Sequence, residues 1–366
     1  MSTQLTTILS TTLALVEQFQ NTLSVSSHGE QSSPKDAKAL PLLSASSAAL
    51  KAQVTKLSLL SITSPFTHSA VSGVLRACND SVLPSLITAA LLVTPAEYTK
   101  AFHSEVSHLV RTTLNEFNTL VQQVKRISEK KDQEKKDGRR KESELAKSDK
   151  HAVTVATGRV WDACDSVVEV AEKGVVGFVM HRVEQWRDLV RDALQEIEDW
   201  DPEEEDDFFD DLGEGNDDGD DGEDDSGSEE ETAALKEQKK NTLRFLKPIA
   251  QVYPSIVTHR LKNVGEAPLS SSAGVAKLEA LMLNLQSIPE QVDEAAGALY
   301  EANMTKSAKF LKGTQKNAAQ AVELVALPWD AAGTGKQVTD KFSIWSSAWF
   351  KVMDEVSKPI DAASTA

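Results

Sequence analysis

Between Glu196 and Glu231 the chain carries 22 acidic residues and no Lys or Arg. A stretch this charged and this rich in Gly has too little apolar surface to offset the entropy of ordering. Trp200 to Glu231 is therefore expected to form a long disordered acidic loop between folded parts. The run also changes what the net charge of −17 means. Setting the 22 acids aside leaves 34 acidic against 39 basic residues, so the folded body is mildly basic at +5. Such asymmetry bears on solubility and choice of partner rather than on fold.

Elsewhere the apolar residues recur at helical spacing, and alternating strand patterns are missing. Leu5, Leu9, Thr12, Val16, Phe19 and Leu23 fall on one face of a first helix. A second runs from about Pro41 to Ile62 with Leu43, Leu50, Val54 and Leu57 inward, ended by Thr63-Ser64-Pro65. A third covers about Thr67 to Val93 with a kink near Pro84. A fourth opens at Pro95 and buries Phe102, Val106, Leu109, Thr113, Phe117, Leu120, Val124 and Ile127. The stripe stops after Ile127, and the charged stretch that follows reads as a solvated linker. Further helices are expected over His151–Glu172, Val175–Asp199, Thr232–Val264 (bent by Pro248 and Pro254), Ser272–Ser287, Pro289–Ala326 and Lys336–Ser357.

Ten helices with mostly short connections predict an all-α fold of two antiparallel bundles of four or five helices each. The expected organisation is an N-terminal bundle over 1–130 and a charged linker over 131–150. A second bundle would be built from 151–199 and 232–327, interrupted by the acidic loop 200–231. A last helix would lie within 328–366.

The residues offer little chemistry. Cys78 and Cys164 are far apart in apolar surroundings, which is neither a disulfide framework nor a zinc site and fits a reducing compartment. The seven His residues match no metal-protease spacing, and His103 and His108 sit five apart on one helix. Ala332-Gly333-Thr334-Gly335-Lys336-Gln337 approaches a phosphate loop but has Asp330 where a Gly is needed and Gln337 where a Ser or Thr is needed. It reads as a turn opening the last helix. Glu214, Asn216, Asp218, Gly219 and Asp225 nearly trace a calcium loop, with both end ligands wrong. No enzyme, cofactor or metal is therefore expected. The N-terminus lacks the basic region of a signal peptide, and no apolar run reaches the ~18 residues of a membrane span.

Gly158-Arg159-Val160-Trp161-Asp162-Ala163-Cys164-Asp165 lies early in a helix after the charged linker. A helix ending in Asp-Trp follows, then the acidic insert, then the Pro-bent segment Leu246-Lys247-Pro248-Ile249. That order resembles the cyclin-D-binding protein family (GCIP, also helix-loop-helix-interacting proteins), as a divergent, fungal-like member, over about Leu40 to Leu327. The resemblance implies paired helical bundles like those of vinculin and α-catenin. It also implies a negative regulator of the cell cycle or transcription that binds cyclin-D or helix-loop-helix proteins. Val160, Trp161, Ala163 and Cys164 are its signature. Trp161 and Cys164, three apart, are expected together on the inward face, so the signature reads as core.

The function expected is a protein-interaction scaffold in cytoplasm and nucleus, its partners proteins rather than nucleic acid or membrane. The alternatives are a vinculin-like cytoskeletal adaptor and an acidic chaperone of basic proteins. Lys135, Lys136, Arg139, Arg140 and Lys141 form a candidate nuclear import signal. Ser226 and Ser228, each with an acidic residue three positions on, are candidate phosphorylation sites that would add about −1.5 to −2 charges apiece.

Overall fold

The computed structural model describes residues 3–25, 38–136, 144–202, 225–262, 264–265, 267–329 and 340–363, with backbone alone for 25, 135–136 and 225–231. Among these residues the regular structure is helical and no strand occurs. The chain divides into two compact units, Met1–Phe178 and Val179–Ala366.

The first unit begins with α1 (Thr3–Val25), α2 (Ala39–Ile62) and α3 (His68–Ala77). A π-helical turn, Cys78–Val82, leads into α4 (Leu83–Leu92), and α5 (Lys100–Lys136) follows. The π turn stands where the sequence predicts a kink. Pro84 has no N–H for the ladder behind it, and the hydrogen bonding widens there instead of breaking. α1 packs on α3 and α5, and α2 on α3, α4 and α5. Leu5, Leu9, Thr12, Val16 and Leu23 are buried as the spacing requires, as are Leu43, Leu50, Val54 and Leu57. Buried Thr12 donates to the Ile8 carbonyl at 2.8 Å and accepts from Asn79 Nδ2 at 2.9 Å, so its hydroxyl is satisfied inside the core.

α6 (Lys147–Asp199) is one segment with a single non-helical residue, Gly174, at φ 64° and ψ −173°. The sequence places a break at that point, and a side chain there would be strained. Residues 147–173 form a first arm and 175–199 a second. The first arm completes the first unit. Ser47 Oγ donates to the Cys164 carbonyl at 2.9 Å, Lys51 Nζ reaches both Asp165 oxygens at 2.6 Å, and Phe178 meets Phe102 edge-on at 5.5 Å.

The boundary therefore differs from the expected one at 131–150. α5 runs on to Lys136, Lys131 is buried, and Lys130 pairs with Asp149 of α6 at 2.7 Å. What the sequence presents as a linker is the connection of a helical hairpin. Charge at the ends of two long helices mimics an interdomain spacer.

The second unit holds residues 179–199 of the second arm of α6, α7 (Asp225–Ala250), α8 (Val252–Ile256), α9 (Ser272–Tyr300), α10 (Met304–Leu324) and α11 (Lys341–Ala363). Most of the predicted acidic loop, 203–224, lies outside the described residues. Its last seven residues form the first turns of α7, where acidic residues suit the positive end of the helix dipole. α10 packs closely on α9, and α11 packs on α7 and α10. Buried Ala295, Ala298, Ser307, Ala308 and Ala318 let the α9–α10 backbones approach, and Ser307 Oγ bonds the Ala295 carbonyl at 3.0 Å.

The predicted break at Pro289 does not occur. Pro289 lies within α9, and the Leu285 carbonyl it leaves without an N–H accepts from buried Tyr253 Oη at 3.1 Å. The chain turns instead at Glu301–Asn303. There Ala302 has φ 54°, and the Asn303 side chain caps α10 by accepting from Lys306 N at 3.0 Å.

Candidate interaction surfaces

Along the first arm of α6, Val153, Thr157, Val160, Cys164, Val167 and Ala171 are buried at alternating steps of three and four. This is the stripe that a helix lays on a core. Trp161 stands one residue off it and is 37% exposed. The expectation that Trp161 and Cys164 share the inward face is corrected: Val160 and Cys164 are core, Ala163 is half-buried, and Trp161 faces out. Position 161 is one 100° step from Val160, which carries the indole to the edge of the stripe.

The outward face has its own pattern. Val155, 41% exposed, Gly158, Trp161 and Asp165 follow at steps of three, three and four. A Cβ built on Gly158 would meet nothing within 4 Å, so the surface between Val155 and Trp161 is an open notch. The Lys51–Asp165 ion pair borders it. Both partners are exposed, so this pair marks register more than it stabilises. Leu59 of α2, 57% exposed, adds a further apolar side chain to the surface of this unit.

Neither cysteine is a nucleophile. Burial pushes the Cys78 thiol up to about 12 and the Cys164 thiol up to about 11, the latter against a smaller opposing pull from Ser47. Both thiols are protonated at neutral pH. Among the described residues no group of three or more His, Cys, Asp or Glu is placed to hold a metal, and no helix is long and apolar enough to cross a membrane. The calcium-like pattern from Glu214 to Asp225 and the phosphate-loop-like run at 332–337 fall largely or wholly outside the described residues.

Lys135 and Lys136 end α5, and Arg139, Arg140 and Lys141 lie outside the described residues. Ser226 and Ser228 are in the first turn of α7, their side chains outside the described set. The structure thus brings together only the 160–165 part of the predicted sites.

Sequence reasoning missed a buried cation. Arg260, 3% exposed, donates to the carbonyls of Val325 at 2.6 Å and Ala326 at 2.9 Å, and pairs with Asp340 at 2.8 Å. Its guanidinium lies 4.3 Å from the Phe342 ring centre, and its own carbonyl accepts from Trp329 Nε1. A hydrogen bond from Arg260 holds the Asp340 carboxyl below its ordinary range. Arg260 thereby clasps the described ends of the α10–α11 connection. The sequence hint was Asp340-x-x-Ser343, a reciprocal helix cap with bonds of 2.8 and 2.9 Å. Nothing in the pattern announced the arginine.

Comparison with known proteins adds one match. Residues 42–203 match the family described as Grap2 and cyclin-D-interacting, N-terminal. The match takes in α2 to α5 and all of α6, the outward face of its first arm included. No curated protein matches the chain.

Proposed function

We propose, from the match of residues 42–203 to the Grap2 and cyclin-D-interacting family, that the protein is a non-enzymatic regulatory scaffold for a D-type-cyclin-like or helix-loop-helix partner. The partner docks on the outward face of the first α6 arm. One observation carries this reading: the tryptophan of the signature segment is exposed beside an open notch, while its neighbours Val160 and Cys164 are fully buried. Tryptophan is enriched among the few residues that dominate binding energy at interfaces, because it buries a large rigid surface at small entropic cost. Val155 supplies a second apolar contact, and Lys51–Asp165 a polar rim.

The proposed protein works in both cytoplasm and nucleus, with the basic run from Lys135 to Lys141 as its import signal. Calorimetric titration of the full chain with a D-type cyclin and with a helix-loop-helix dimer tests the reading, with filamentous actin in a parallel sedimentation assay. Saturable binding to either of the first two supports it. Binding to actin alone would replace it with the cytoskeletal adaptor.

A further inference from the structure

The second unit has a different surface, built around the second arm of α6. Trp186 and Leu189 of that arm, with Pro289, Gly297 and Ala298 of α9, floor a groove of about 710 Å³. Leu189 is 55% exposed and stands with Trp186 in the lining of this groove. The wall is acidic. Glu290, Asp293 and Glu294 follow one another along α9 at helical spacing and Glu301 stands just past its end, all exposed; Lys306, the lone base in the lining, pairs with Glu301 at 3.6 Å. Gln286 to Glu301 covers four turns, about 22 Å at ~1.5 Å per residue.

We propose that this groove docks an amphipathic helix of a partner protein, its apolar side on Trp186 and Leu189 and its edge lined with lysine or arginine. Apolar anchors at spacings of three and four seat in such a channel, and the row of carboxylates meets the basic edge. The carboxylates are crowded before any partner arrives. Asp293 is pushed above its ordinary range by partial burial and then by Glu196 and Glu294 beside it, a strain that a bound cation relieves. The same crowding rejects an acidic helix, which gives the groove selectivity as well as attraction. The inference shares the protein-interaction reading above but uses a separate surface.

Fluorescence anisotropy of the full chain tests it with two labelled synthetic helices of about four turns, one of Leu and Lys and one of Leu and Glu in the same pattern. The Leu/Lys helix binds, and the Leu/Glu helix binds at least about tenfold more weakly, the loss that follows when like charges face each other. Leu189→Ala and the double variant Glu290→Lys/Glu294→Lys each weaken the Leu/Lys helix by about tenfold or more. Because all three side chains are exposed, the melts stay unchanged.

The double variant also shifts preference toward the Leu/Glu helix. Binding that ignores these substitutions and disappears when residues 203–224 are deleted would overturn the proposal, since plain attraction to the acidic run would then explain it. Equal binding of both helices would overturn it as non-specific adhesion. A D-type cyclin and a helix-loop-helix dimer titrated in parallel separate the two readings: binding of neither, with groove binding intact, refutes the scaffold proposal and upholds this one.

Discussion

The outward face of the first α6 arm and the inward face of α11 both carry tryptophan in the middle of an apolar helix, yet the two differ in burial. Trp349 is 4% exposed, its indole N–H donates to the Pro248 carbonyl at 2.8 Å, and it packs edge-on against Phe350 at 5.1 Å. Trp161 is 37% exposed and stands beside an open notch. An indole is stable inside only where its N–H finds an acceptor. In the second unit, Pro248 lies in the last turn of α7, and its carbonyl lies within reach of α11. On α6 the ladder is unbroken around Trp161, and the residue lies one step off the buried stripe. Hydrophobicity alone did not decide burial; backbone hydrogen bonding and helical phase did.

Substitutions sharpen that contrast. Trp349→Ala is expected to destabilise the second unit by about 3–5 kcal/mol, from lost burial and the cavity left behind. Chemical denaturation followed by far-ultraviolet dichroism checks it, and a loss under ~1 kcal/mol would erase the difference between the two tryptophans.

Asp340→Asn comes next, at about 1.5–3 kcal/mol, because the charged hydrogen bond to buried Arg260 goes while the cap to Ser343 can persist. Its pH dependence has a defined sign. Asp340 titrates below its ordinary value of 3.8 in the folded protein, so its contribution is fully present above that value and is lost as pH falls through the folded value. The gap between parent and Asn variant should therefore close on acidification below about 3.8; a constant gap would show that charge plays no part.

Ser47→Ala should cost about 0.5–1.5 kcal/mol, one net hydrogen bond to the Cys164 carbonyl. Thermal melts of the full chain read it, and no change would mean that the α2–α6 contact holds by packing alone.

Much of this fold was legible in the sequence. The inward stripes of α1 and α2 emerged with their buried residues named, because i, i+3 and i+4 spacing is set by backbone geometry. The break near Gly174 was legible too. Proline was less informative: Pro289 sits within α9, and the Leu285 carbonyl it leaves is satisfied by Tyr253, 32 residues from Leu285 in sequence. Domain limits were misread at 131–150 because charge on the ends of α5 and α6 looks the same in a hairpin as in a linker. Of the site, the signature segment was found but Trp161 was assigned to the wrong face, since a three-residue spacing fits two residues side by side as well as two facing inward. Arg260 and the acid-walled groove had no local signal, because each draws on residues about 65 to more than 100 positions apart.

Binding of a protein partner to the outward face of the first α6 arm is read out by Trp161→Ala. Melting temperature and calorimetric affinity for a D-type cyclin are measured on the same preparation of the full chain. The expected result is a stability change under about 1 kcal/mol, as for an exposed site, with affinity reduced about tenfold or more. A large fall in melting temperature, or undiminished cyclin affinity with the melt unchanged, would contradict it.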